Sequence, residues 1–455
     1  MAIIAPFKGL TYNYLIRQDF ERMVAPPYDV ISDEEQEEYY QEDPYNVIRL
    51  ILGKKKTGDS DWDNRYTRAA DLLKRWESAG ILNRAESPCL YVTSLTYDPG
   101  SGDEKRTRWG VIGLVRIEDP DSGVILPHER TFSAHRDDRL KLMRACSTQF
   151  SQIFGLYEDP DNDIIDSCKE FIDLSPHIAF DFKDGTKHQT WIVQSPSLFK
   201  KVGNLMSKKS ILIADGHHRY ETARNFRNIM RARYGRRAAN RSYEYVMFYL
   251  TNMNDEGLTI LPSHRLVKCV PDFQFQPFLQ KVGKWFDIQG LPLPGPGISE
   301  ECTALELHLK EAGRLNSAIA FYHHKAQGSA QQCYLFSLKP GVRGEMGDDL
   351  HPSLKKLDVL VLSRFILQNA LGFSREGLDN EEIFHYQSSL KTAVSQVRSG
   401  EYEMAFLLNP TKIAHVKEIA SNSLVMPRKS TYFYPKILTG LVFNKIEPYG
   451  IIELT

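Results

Sequence analysis

The spacing of apolar positions divides the chain into irregularly alternating helices and strands. Over residues 62–80, Tyr66, Ala69, Leu72, Leu73 and Trp76 recur at helical spacing and the run stops at Gly80, which predicts an amphipathic helix laid on a core. Two β-rich runs, "CLYVTSLTY" and "RTRWGVIGLVRI", flank the polar loop "DPGSGDEK" and predict a long hairpin. A second hairpin is expected in "HIAFDFKDGTKHQTWIV", where Asp184-Gly185 is a turn signal. Nearer the N-terminus, Ser32 caps an acidic, helix-prone run, and "NVIRLIL" beyond it reads as a strand. Toward the C-terminus come a Leu-rich helix at "LDVLVLSRFILQNAL", a strand at "YEMAFLLNP" and a helix at "TKIAHVKEIA". The Gly- and Pro-rich stretch 289–301 reads as a linker or a surface loop. Such irregular interleaving predicts an α+β protein rather than a regular Rossmann-type alternation, divided into an N-terminal region 1–270 and a C-terminal α+β region 271–455.

Composition narrows this picture in three ways. With 455 residues, 42% hydrophobic and 25% charged, the chain is long enough for two or three domains with real cores. A net charge of −1 provides no global field toward nucleic acid or anionic membrane, so neither is an expected partner. The six cysteines include no Cys-x-x-Cys pair, which argues against a zinc ribbon or a disulfide scaffold and fits a reducing cytoplasm. The start "MAIIAPFKGL" lacks an export signal, and no segment reaches the ~18–20 apolar residues of a membrane span. A cytoplasmic location is expected.

Familiar phosphate-loop, dinucleotide, zinc-protease and nucleophile-elbow motifs are missing, so phosphate chemistry would need another cradle. One candidate is "ILIADGHHRYETARNF" at 211–226. Ile211 to Ala214 form a short buried strand, while Tyr220, Ala223, Phe226 and Met230 fall on one helical stripe. A strand, a Gly turn and a helix start expose backbone N–H groups and the positive end of the helix dipole, and Gly216 admits a ligand close to the backbone. His217, His218 and Arg219 add donors suited to a polyphosphate. Asp215 then binds Mg²⁺ or positions a hydroxyl. Two alternatives stand beside this: Asp215 as a plain helix N-cap, and zinc held by the two histidines, which their diverging side chains and the want of a third ligand oppose.

Three further segments offer chemistry. In "ILPHERTFSAHRDDRLKLMRA" at 125–145, His128, Glu129 and Arg130 place a potential base beside a cation, a pattern that solvated surface clusters also show. In "MPRKSTYFYPK" at 426–436, Lys429, Ser430 and Thr431 suit a phosphate or carboxylate, or a solvated edge strand. "LPSHRLVKC" puts His264 and Arg265 after a strand, able to line a cleft. The arginines beyond Arg219 read as a solvated helix end, with nucleic-acid contact as the alternative.

Read together, "APPYDVI", "HERT", "ADGHHRYETA", "LPSHR" and "MPRKSTYFYPK" resemble a widespread prokaryotic family long labelled a domain of unknown function. "DGHHRYETA" is also similar to the nucleotide-binding turn of the ParB and sulfiredoxin superfamily. More narrowly, Pro127-His128-Glu129, Asp215 through Arg219 and Pro427 through Thr431 follow in the order of three motifs of the archaeal free serine kinase. Phe433 stands where that family has a His, and the gap between the first two motifs is longer. The resemblance implies a ParB/sulfiredoxin-like nucleotide-binding core with large insertions. It implies a kinase that moves phosphate from ATP or ADP, with Mg²⁺, to the hydroxyl of a free amino acid, L-serine. Glu129 and Asp215 would be catalytic, and Gly216, His217, His218 and Arg219 would hold the nucleotide. His128, Arg130, Lys429, Ser430 and Thr431 would bind the substrate. The competing expectation is a ParB-like nucleotide switch or nucleic-acid-associated protein without metabolite kinase activity.

Overall fold

In the computed structural model, which describes residues 1–100, 104–129, 133–235, 240–292, 297–323 and 332–454, the periodic run over 62–80 forms the helix Arg65–Ser78 (α1). Asn64 caps it, its side chain accepting from the Tyr66 and Thr67 amides while the Thr67 hydroxyl accepts from the Asn64 amide. Ala69, Leu73 and Trp76 are buried. Ser32 caps Asp33–Glu42 with the same reciprocal pattern through Glu35. "NVIRLIL" departs from expectation: Ile48–Ile51 is a short helix. Asn46 accepts from the Ile48 amide and donates to the Arg22 carbonyl, and Val47 N–H donates to Met23. A short, mostly apolar run carries no period that separates helix from strand, so these long-range contacts decide its shape.

The chain forms two compact units, Met1–Thr259 with Pro435–Thr455, and Ile260–Tyr434. A single sequence cut at 270 places the closing residues from Pro435 onward with the C-terminal region, whereas they return to the first unit.

The first unit is built on a sheet whose strands are Ile4–Ala5 (β1), Leu90–Tyr97 (β2), Arg106–Arg116 (β3), Ile125–Leu126 (β4), Ile153–Tyr157 (β5), Ile178–Asp181 (β6), Lys187–Val193 (β7), Ile211–Asp215 (β8) and Tyr245–Asn252 (β9). Their order is β4-β8-β5-β9-β3-β2-β7-β6, with β1 on β3. Both expected hairpins form: β2 pairs antiparallel with β3, and β6 with β7. The second turns through Asp184 and Gly185, the latter at φ +82°. Two pairings, β8 with β4 and β9 with β5, are parallel, so the sheet is mixed. Helices Ser133–Cys146 (α2) and His217–Tyr234 (α3) belong to this unit. Tyr220, Ala223 and Phe226 of α3 pack in one core with Ile211, Ile213 and Phe248, which fixes the helix at the end of β8.

The second unit holds an antiparallel sheet of His264–Val267 (β10), Phe286–Leu291 (β11), Ala318–His323 (β12), Gln332–Leu338 (β13), Phe384–Gln387 (β14) and Met404–Leu408 (β15), in the order β11-β13-β12-β15-β10-β14. Leu305, Leu309, Val394 and Val397 pack with Ala320, Leu335 and Leu407 of the sheet. Of the Gly- and Pro-rich stretch 289–301, the start belongs to β11 and the end to the helix Ile298–Leu315 of this unit, while 293–296 lie outside the described residues. The Leu-rich run begins as α-helix at Asp358–Val361 and continues as π-helix through Leu362–Ala370. Among the described residues, no helix is long and apolar enough to cross a membrane.

Candidate functional site

Strand β8 is irregular where its chemistry lies. Ile213 pairs with Gly155, but Asp215, not Ala214, pairs with Phe154. The extra residue is a β-bulge, a device that re-aims the side chain following it. Gly216 then adopts φ +93° as the N-cap residue of α3, which has no side-chain cap. The plain N-cap reading of Asp215 is thereby replaced, since its carboxylate serves other partners. A Cβ at Gly216 would lie 2.9 Å from Arg219 Nε. Gly216→Ala should therefore cost about 2 kcal/mol through the left-handed backbone and displace the Arg219 guanidinium. Chemical denaturation measures the cost, and an unchanged midpoint would contradict it.

Both oxygens of Asp215 are held by cations. Lys436 Nζ donates to Oδ1 at 2.6 Å and Arg219 NH2 to Oδ2 at 2.5 Å, while Arg219 NH1 donates to the Gln152 carbonyl. The side chains of Asp215, Arg219 and Lys436 are 17%, 12% and 16% exposed. Burial works against the carboxylate, yet the charges of Lys436 and Arg219 overcome it and hold Asp215 well below the usual carboxylate range. Lys436 is the residue that the sequence reading missed. It closes "MPRKSTYFYPK", and a single lysine inside the otherwise apolar run from Phe433 to Phe443 was the available signal, since buried lysines are nearly always paired.

Two histidines and Glu129 complete the cluster. His128 and His217 are 0% and 6% exposed, their rings edge to face with centroids 4.6 Å apart. The His128 backbone N–H donates to His217 Nε2 at 3.2 Å. In a neutral imidazole this leaves the proton on Nδ1, which lies 4.0 Å from Glu129 Oε2. Burial, then the neighbouring His128, hold the His217 pKa well below its ordinary value, and burial lowers His128 to about 4. Both rings are neutral at pH 7, so His217 presents a directed N–H toward the Glu129 carboxylate. His188, buried elsewhere in this unit, falls to about 3 by burial.

These depressed values set a pH window. Unfolded histidines take up protons near 6.5, whereas in the fold His128 stays neutral until about 4 and His188 until about 3, and His217 is also held well below its ordinary value. Their contribution is present in full above pH 6.5 and is lost as the pH falls toward 4. The urea midpoint should drop between pH 7 and 5 with an unchanged slope; a midpoint flat over that interval would contradict the burial of neutral rings.

The other residues expected at the site divide. His218 is partly buried at the start of α3. Arg130 lies outside the described residues. Lys429, Ser430 and Thr431 belong to the second unit. There Lys429 is exposed at φ +56°, its carbonyl accepting from Arg265, and Ser430 Oγ donates to the Pro427 carbonyl at 2.6 Å. The serine hydroxyl thus makes the turn. His264 and Arg265 are buried in β10, where His264 Nδ1 accepts from the Leu408 amide and Arg265 stacks on Tyr386. Of the arginines along α3, Arg224 pairs with Glu221, Arg227 with Asp119 and Arg231 with Glu244. Arg236 and Arg237 lie outside the described residues.

No group of three or more His, Cys, Asp or Glu side chains is arranged to hold a metal among the described residues. Asp215, the carboxylate expected to meet Mg²⁺, already pairs with Lys436 and Arg219.

Fold and site together define an α+β protein whose candidate centre is a strand, glycine and helix-start junction. The chain belongs to the DUF1015 family, described as "Protein of unknown function", which matches residues 4–360. No curated protein matches it in sequence. Among solved structures it is similar to a conserved hypothetical protein from Pyrococcus furiosus, with 11% identity and a TM-score of 0.33 over 71% of this chain and 91% of that one. It is also similar to a free serine kinase in complex with AMP, with 10% identity and a TM-score of 0.32 over 70% and 86%. A third is C-terminally truncated SbnI from Staphylococcus aureus, with 8% identity and a TM-score of 0.29 over 72% and 85%. Likenesses this remote carry no argument about the site.

Proposed function

We propose that the protein is a small-molecule kinase with a ParB/sulfiredoxin-like nucleotide core, transferring phosphate from ATP or ADP to the hydroxyl of a free amino acid, L-serine. The observation that carries this reading is the convergence, through His217, of Glu129 with the turn Asp215 to Arg219. Helix-start amides after Gly216, with His218, suit nucleotide phosphates, Arg219 and Lys436 bring positive charge, and His217 turns its one N–H to Glu129. Glu129 accepts the acceptor hydroxyl's proton as that oxygen bonds to the terminal phosphorus and the bond to the nucleotide leaving oxygen breaks. Asp215 positions the two cations. His128, wholly buried, orients His217 instead of touching substrate. Mg²⁺, when bound, neutralises phosphate charge, and it commonly arrives on the phosphates with one or two carboxylates.

The competing reading, a ParB-like switch bound to nucleic acid, draws on the arginines of α3, but Arg224, Arg227 and Arg231 are engaged in internal pairs. Calorimetric titration separates the two. ATP or ADP should bind saturably, and His218→Ala should weaken binding about ten-fold, the worth of one hydrogen bond to a charged group. Absence of saturable nucleotide binding would sink the kinase reading; salt-dependent DNA binding with nucleotide but no transfer would favour the switch.

A further inference from the structure

Beside Arg219, the first unit contains a cavity of about 50 Å³ whose lining includes Tyr28, Arg139, Ser151, Arg219 and Thr222, with apolar side chains such as Leu142 completing it. One water needs about 10–15 Å³ by the same measure, so the space holds several waters or one compact ion, and it is too small for a nucleoside. Three observations give it a chemical sense.

The first is charge. Arg139 is only 8% exposed, stacks 3.9 Å over the Tyr28 ring, and donates to Asp138 and to the Ile51 carbonyl. Of the two lining guanidinium groups, Arg139 shares Asp138 with Arg65, and Arg219 shares Asp215 with Lys436. Neither lining guanidinium has a carboxylate to itself.

The second is an unused hydroxyl. Thr222 lies inside α3, 1% exposed, and its Oγ1 has no hydrogen-bond partner. A helical threonine normally has a ready partner in the carbonyl four residues back. Thr222 forgoes that bond while lining the cavity. The third is Gln152, which stands between the lining residues Ser151 and Ile153 without itself lining the cavity: its carbonyl receives Arg219, it is 1% exposed, and neither its side-chain oxygen nor its nitrogen is partnered. Native proteins leave few buried polar atoms unsatisfied, and those they leave call for a ligand or water.

We propose that this cavity binds a small oxyanion, the carboxylate or phosphate group of a metabolite, held by the Arg139 and Arg219 guanidinium groups and the Thr222 hydroxyl. The proposal does not depend on the kinase reading. Guanidinium groups match the planar or tetrahedral oxygens of such ions, and a hydroxyl supplies the neutral donor that a buried anion needs. Arg219 links the cavity to Asp215, since one guanidinium contacts the carboxylate and lines the pocket.

The test titrates the full-length protein with inorganic phosphate and, separately, malonate, at constant ionic strength in chloride, by calorimetry and by thermal midpoint. Saturable binding of phosphate identifies a phosphate-group ligand, and of malonate a carboxylate. Thr222→Val, nearly isosteric, should fold with at least the wild-type midpoint and weaken that binding about ten-fold; should it fail to fold, Thr222→Ala, which also removes the hydroxyl and suits a helix, carries the same comparison. His218→Ala should leave it unchanged. The proposal is overturned if neither ion binds beyond chloride, if Thr222→Val binds as wild type does, or if binding is lost in His218→Ala and kept in Thr222→Val, which would place the ion at the helix start.

Discussion

Replacing Lys436 by methionine should lower unfolding free energy by about 3 kcal/mol, within the range for removing one partner of a buried ion pair. The side chain keeps most of its volume, so the loss is electrostatic. Asp215 would remain 17% exposed with one of its two oxygens unsatisfied, and Arg219 cannot take over the second because its other arm is committed to Gln152. Adding Asp215→Asn should recover a large part of the loss, since the uncompensated charge is then gone. Urea denaturation of the single and double variants checks this. Equal midpoints for Lys436→Met and wild type would mean that the pair contributes nothing, and an additive double variant would mean that the two residues do not interact.

Glu129→Gln should slow phosphoryl transfer by about 10²- to 10⁴-fold, the usual worth of a general base, while leaving the fold and nucleotide affinity nearly unchanged. Glu129 is 26% exposed and 4.0 Å from His217 Nδ1, so glutamine, of nearly the same size, fits the same space. Rapid-quench measurement of one turnover separates binding from chemistry. A loss confined to nucleotide affinity would show that Glu129 binds substrate without taking the proton.

Local signals in the chain were read well where one residue type dictates backbone shape. Asp184-Gly185 announced the β6–β7 turn, Ser32 announced its capping box, and Gly80 followed the end of α1. "ILIADGHHRYETA" disclosed a strand, a glycine and a helix start because each carries its own period or conformational demand. What stayed hidden depends on pairing across long separations. Nothing local in "NVIRLIL" reveals that Asn46 will reach Arg22 and fold it as a helix turn. Nothing in "MPRKSTYFYPK" reveals that the chain leaves the second unit between Tyr434 and Pro435, so that its first lysine belongs to one unit and Lys436 to the other. The bulge at Ala214 is equally invisible, being defined by registration against β5. The chemistry of Asp215 changed accordingly. Sequence offered a cap, a Mg²⁺ ligand or a group that positions a hydroxyl; the structure replaces the cap and adds that the carboxylate pairs with Arg219 and Lys436.

The central claim, transfer of phosphate to a free hydroxyl amino acid, is tested most directly by phosphorus NMR of the purified full-length protein with L-serine, Mg²⁺ and either ATP or ADP. The account predicts a new phosphomonoester resonance growing in step with ADP from ATP, or AMP from ADP, and requiring both serine and Glu129. Nucleotide that stays intact, or yields only inorganic phosphate whether or not serine or threonine is present, would contradict it.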